Sequence, residues 1–471
     1  MSAREMDQRR YRIALALIVV ASGLFRLLYV LLVKRDDPLW TDEFFYTRQA
    51  IAIADGRGFE NPILPGVKSA GHAPMTVVAL APVSWLDGAV TAQRMLMAVY
   101  GTAVVVAIGA VARMLFDRRT SLVAAMLAGG YAGLWLNDVM VMSETFAAGT
   151  VVAILWSAYR YRAAPSWTSA AVVGVTVAAG GYARTELLAL GGTIAIFVMW
   201  LHRRPTGTVE AGHPDPPTDD DTDTDDGTNT DAIVGVAAAE VSRPIGFAHL
   251  ALAGVVTLTL LAPWVARNLA AFEEPTYIST QDGGTLLGAN CPAAYDGRFV
   301  GFWELSCVAA IPTLEGEDQS QTEARYRDAA FDYIGENVDE LPRVTVFRVA
   351  RGFGFYRPDD MTIINQLDGR NRWASWISTI QFWALGVLAI AGLRRWPSVG
   401  RWFRPRWPIV ATMVFTLMMM AISYGNPRFR VPIEPGLVIA ASVAVVGLVD
   451  RWRRRNDPAA PATVKADAGA T

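Results

Sequence analysis

The chain has 471 residues, 52% of them hydrophobic and 18% charged, with a formal net charge of −2. A soluble protein carries about a quarter charged residues, whereas this one repeats apolar runs of about 20 residues, the length a bilayer demands. The composition therefore predicts an all-α, multi-pass membrane protein. The sequence has no P-loop, no Rossmann glycine pattern and no Cys/His metal spacing, and nothing in it points to nucleic acid.

The first apolar run, Ile13–Val33, follows basic "RRYR" and is too long, with no small-residue cleavage site, for a removed signal peptide. Directly after it comes "WTDEFFYT" at 40–47, where Asp42 and Glu43 stand side by side among aromatics. Thr41 can cap a helix running to about Ala54, with both acids opposing its dipole and Gly56 and Gly58 ending it. Capping accounts for the acids but not for their place at a membrane surface. There, Trp40, Phe44, Phe45 and Tyr46 exclude water and raise a carboxylate's basicity, which suits deprotonation of a weak nucleophile such as a sugar hydroxyl. The stretch 72–86 is short and interrupted by Pro74 and Pro82, so it reads as juxtamembrane rather than crossing. At its head His72, with Lys68 nearby, is either an incidental loop residue or a donor to a phosphate.

Further spans are expected at 93–115, 120–138, 143–160, 166–182, 187–202, 246–266, 373–393, 406–424 and 432–449, ten in all with the first. Glu144 opens one of them, as a helix-starting residue or as a second carboxylate in a cavity; Asp138, six residues earlier, sits in a turn. Arg184, Arg267, Arg428 and Arg430 lie at span ends. They either snorkel to lipid headgroups or hold a lipid phosphate bidentately. The tract 214–232 is rich in Asp, Pro and Thr and reads as part of a disordered acidic loop, 203–242. Residues 451–471 read as a disordered basic tail.

Arginine clusters at 116–120, 159–162, 202–205, 393–406 and 450–455 all fall on one face if 34–92 lies wholly on the other. By the positive-inside rule that places both termini in the cytoplasm and the loops 34–92 and 267–372 outside. Asp42, Glu144 and the arginines above then share the outer face. Cys291 and Cys307 both lie in the long outer segment, where they are either a disulfide or two free thiols.

The order of these motifs resembles the GT-C membrane glycosyltransferases. An acidic pair in the first outer loop is followed by His-Ala-Pro, "MSETF", "YARTELL", "PWVARN" and "RFRVPIEP". More narrowly, they are similar to the bacterial branch of protein O-mannosyltransferases and lipid A aminoarabinose transferases. The resemblance covers most of residues 10–450 and implies a single GT-C domain over 1–450. About ten transmembrane helices, juxtamembrane helices in the first outer loop and a mixed extracytoplasmic loop region are expected. It implies an inverting transfer from a polyprenyl-phosphate sugar to a hydroxyl on a glycan, lipid or protein, at the outer surface of a cell membrane. Asp42 is then the base, with Glu43 and Glu144 orienting it and the acceptor. Arg184, Arg267 and His72 hold the donor phosphate, with Lys68, Asp138, Arg428 and Arg430 as further members. No cofactor is required by this reading, and a divalent metal is left open. The rival reading is a transporter or lipid flippase, in which ionisable groups gather at the bilayer midplane. In a third, a scaffolding protein, the same residues are scattered.

Overall fold

The computed structural model describes residues 7–201, 243–396 and 405–456. The expected acidic loop and residues 457–471 of the expected tail lie outside the described residues; 451–456, expected in the tail, are helical. Among the described residues there are nineteen α-helices and no strand. A first set is α1 (Gln8–Tyr29, continued by a π-turn to Lys34), α2 (Thr41–Ala54), α3 (Met75–Leu80), α4 (Ala89–Leu115), α5 (Arg118–Gly130), α6 (Ala132–Asp138), α7 (Glu144–Ala163), α8 (Trp167–Ala183), α9 (Leu187–Ile196) and α10 (Arg243–Leu269). The long segment after it carries α11 (Asp282–Ala289), α12 (Pro292–Tyr295), α13 (Leu305–Ala309), α14 (Gln319–Glu336), α15 (Leu341–Gly352) and α16 (Pro358–Leu367). The chain then returns to the bundle through α17 (Arg372–Arg394), α18 (Trp407–Ile422) and α19 (Glu434–Asn456). The long segment alternates helices with irregular loops.

Five helical stretches, Gln8–Lys34, Ala89–Leu115, Ile245–Leu269, Arg372–Arg394 and Glu434–Asn456, are long and apolar enough to cross a membrane. Leu187–Met199 and Trp407–Ile422 are apolar but shorter. The protein is a helical membrane protein. Its core is built by α17 against α19, α8 against α10 and α7, and α4 against α5 and α7. Glycine sets the closest of these approaches: a Cβ on Gly392 of α17 would run into the carbonyl oxygen of Ala440 in α19.

Residues 72–86 form α3 and a 3-10 turn at Ala81–Val83. Six helical residues reach about 9 Å, far short of a crossing. The run expected as one span over 120–138 is broken. Tyr131 takes an extended conformation between α5 and α6, and its ring folds back over Gly133, where any side chain would collide with it. Breaking a helix inside a bundle frees backbone groups that must find partners. Here a single side chain supplies both: the Gln381 amide accepts from Ala132 N–H at 2.7 Å and donates to the Gly130 carbonyl at 3.2 Å.

Candidate active site

Asp42 and Glu43 occupy the first turn of α2 and point to different neighbours. Glu43 is fully buried and takes a bidentate pair from Arg94 of α4, at 2.8 and 3.0 Å, plus the Val141 N–H at 3.1 Å. Arg94 also donates to the carbonyls of Lys34 and Asp37. Glu43 is thus spent on joining the first loop to α4 and to the turn before α7. The Asp42 side chain keeps 26% of its surface exposed. The expected cap is absent: the Thr41 hydroxyl accepts from no helix N–H and donates to Asp368 Oδ1 at 3.0 Å, and Thr41 itself has φ 39°.

Around Asp42 five chain segments meet. Arg428, in the 3-10 turn between α18 and α19, donates to Asp42 Oδ2 at 2.6 Å and to Glu144 Oε1 at 2.5 Å, and its Nη1 lies 3.6 Å from Asp368 Oδ2. Arg184, between α8 and α9, reaches Glu144 at 3.5 Å and Glu186 at 2.6 Å and lies over the Phe429 ring. His72 Nε2 is 3.8 Å from Asp42 Oδ1, and its ring packs against Phe45 and Tyr46. Glu144 is buried, and its Oε2 has no hydrogen-bond partner. A polar cavity of about 30 Å³ runs from Arg428 and Arg370 to Arg430 and Glu434.

The electrostatics differ from the expected rise in basicity. Burial alone raises the Asp42 carboxyl, but Arg428 first, then His72 and Arg184, hold it well below the usual carboxylate range. Burial lowers His72, against the opposing pull of Asp42. Arg428 thus stands between Asp42, Glu144 and Asp368 as a shared counter-charge. Among the described residues no three His, Cys, Asp or Glu side chains form a metal-holding group.

The other sequence-derived candidates lie elsewhere. Arg267 donates to the carbonyls of Ser69 and Phe59, both at 3.1 Å, and stacks on Phe59, Trp264 and Phe272. It braces the loop leading to His72 and does not join the Asp42 cluster. Lys68 is exposed and bridges Glu60 through the backbone. Asp138 forms a buried pair with Arg26 at 2.8 Å and accepts from Thr145. Arg430 turns away from Arg428 toward Glu434 and the Phe382 ring. Cys291 and Cys307 are joined in a disulfide. Asp368 and Arg370 escaped the sequence reading. An Asp-Gly pair after a helix reads as an ordinary turn, and only the fold brings it to Asp42.

No family model matches the chain, and no curated protein matches it in sequence. Among solved structures, it is similar to the apo form of the Archaeoglobus fulgidus oligosaccharyltransferase. The identity is 12% and the TM-score 0.50, with 95% of this chain and 52% of that chain covered. The same enzyme with Zn and sulfate matches at 13% identity and TM-score 0.47, covering 93% and 50%. That archaeal enzyme, AglB, with an inhibitory peptide and a dolichol-phosphate matches at 12% and 0.46, covering 94% and 51%. The chain spans about half the length of these proteins. Nearly all of it follows the fold of the first, and the protein therefore has the GT-C fold.

Proposed function

We propose that the protein transfers a sugar from a polyprenyl-phosphate-linked donor to an acceptor hydroxyl on the extracytoplasmic face of the membrane, with inversion. The mannosyltransferase-like branch sets the first donor to try. The observation that carries this reading is the meeting of Asp42, His72, Glu144, Arg184 and Arg428, from five separate segments, on one site. The GT-C fold supports it.

In the reaction, the acceptor oxygen forms a bond to the anomeric carbon as the bond from that carbon to the phosphate oxygen breaks. The acceptor proton passes to Asp42, and the bonding pair leaves with the phosphate. Arg428 and Arg184 stabilise the charge that develops there, and the unpartnered Glu144 Oε2 orients the acceptor or sugar hydroxyl. A carboxylate held far below its ordinary range is a weak base. The donor phosphate resolves this by competing for the Arg428 guanidinium: as Arg428 turns to phosphate, Asp42 loses its counter-charge and regains basicity. The base is strong only when a donor is bound. Arg267, bracing the His72 loop, acts on the phosphate only through that loop.

The test is Asp42→Asn in the purified protein in lipid nanodiscs, assayed with a mannosyl polyprenyl phosphate and other polyprenyl-phosphate sugars. Transfer should be lost while the protein still inserts and unfolds in a single cooperative transition. Near-normal transfer by that variant would exclude Asp42 as the base.

A further inference from the structure

Four consecutive residues after α16, Asp368-Gly369-Arg370-Asn371, bind three elements: α2, α6 and, twice, α1 with its π-turn. Asp368 accepts from Thr41; the Gly369 carbonyl accepts from Lys34 at 2.5 Å; Arg370 donates to Asn137 at 2.8 Å; Asn371 accepts from Tyr29 at 2.5 Å. Gly369 has φ 83°, and a side chain there would press on Trp40 and Met140. This strap reaches the long segment's end across the start of α2. At the point it grips, Thr41 has φ 39°, a left-handed conformation that is an outlier for a β-branched residue and persists only where its surroundings impose it. The next residue is Asp42.

The geometry points to Asp368 as a positioning residue: through its bond to the Thr41 hydroxyl it holds the first turn of α2 so that the Asp42 carboxylate faces Arg428 and the site. Two features argue for a latch rather than a general brace. Glu43, one residue further, is already fixed by Arg94 and Val141, so α2 is anchored without Thr41. And Asp368 divides its oxygens, Oδ1 to Thr41, Oδ2 to Arg370 at 3.1 Å with Arg428 at 3.6 Å, so one carboxylate registers both sides of the site. The long segment is thereby coupled to the direction of Asp42. The inference rests on the reading of Asp42 as the base, but its geometry can be tested without transfer.

The experiment uses the full chain in nanodiscs. Carbodiimide with an amine nucleophile, at one mildly acidic pH, labels protonated carboxyls, and peptide mass spectrometry reads Asp42. The groups facing that carboxylate are Arg428, His72 and Arg184 with the phenols of Tyr46 and Tyr424, and Glu144 and Asp368 lie beyond Arg428. Thr41→Val removes the latch, lets Asp42 swing off Arg428 and raises its labelling about tenfold, the change that one pKa unit produces. Thr41→Ser keeps the hydroxyl and labels as wild type. Adding Thr41→Val to Asp368→Ala changes nothing further, because the bond that Thr41 makes is already gone in Asp368→Ala. If Thr41→Val does not fold, Thr41→Gly, which tolerates the left-handed backbone, takes its place. Unchanged Asp42 labelling in the latch variant, or additive effects in the double variant, overturns the inference. With mannosyl polyprenyl phosphate, Thr41→Val should lower kcat with KM nearly unmoved, and Thr41→Ser should restore it. The labelling pattern without transfer by any form would sink the transferase reading and leave the latch standing.

Discussion

The two adjacent carboxylates of α2 separate stability from chemistry, and substitutions should divide them. Glu43→Ala leaves the fully buried Arg94 without its partner, a loss of about 3–5 kcal/mol that thermal denaturation in detergent should register as a large drop in midpoint. A midpoint unchanged from wild type would mean that Arg94 finds another acceptor. Arg428 gives the pH dependence. While it is present, Asp42 stays ionised well below the usual carboxylate range. The folded carboxyl is depressed, so the pair contributes stability above the unfolded value of about 4 and loses it as pH falls toward the folded one. In Arg428→Gln the largest remaining influence is burial, which raises Asp42. The acid limb of the pH–rate profile should therefore move upward, with a lower maximum because a phosphate contact is gone. An acid limb that stays in place would assign it to another group.

At the scale of elements, what the sequence showed clearly was helix existence, and what it hid was whatever depends on a distant partner. The limits of α2, with Gly56 and Gly58 beyond its end at positive φ, follow from local chemistry, as does the shortness of the Pro-interrupted 72–86 stretch. The Thr41 cap failed because Asp368, 327 residues away, takes its hydroxyl. The break at Tyr131 was signalled only by Gly129-Gly130, since apolarity runs unchanged from α5 into α6. Its stability lies in Gln381, whose amide closes both freed backbone groups. Gln381→Leu strands the buried Ala132 N–H, at about 1–3 kcal/mol, and also removes the donor to the exposed Gly130 carbonyl. The thermal midpoint should fall markedly, whereas Gln381→Glu, which keeps the acceptor for Ala132, should fall less. Equal effects would show that the Ala132 bond adds nothing.

For the whole molecule, counting arginines puts Asp42, His72, Glu144, Arg184, Arg267 and Arg428 on one face of the expected topology, and the fold brings all of these but Arg267 together. Arg267 was out of reach of that reasoning: span ends on one face share a level, but only packing tells which share a site. The sidedness itself remains a consequence of charge, so it has its own test. Lys68 is exposed in the first loop, and Arg453 is exposed at the far end of α19, beside Arg454 and Arg455. The two native cysteines are tied in a disulfide and do not compete for a thiol reagent. Lys68→Cys should therefore react with a membrane-impermeant maleimide on intact cells, and Arg453→Cys only after the membrane is opened. Loops rich in arginine stay inside because moving them across the bilayer is disfavoured, and five such clusters agree here. If Arg453→Cys reacts on intact cells while Lys68→Cys is protected, the chain is inserted the other way, and the site with its donor must be sought in the cytoplasm.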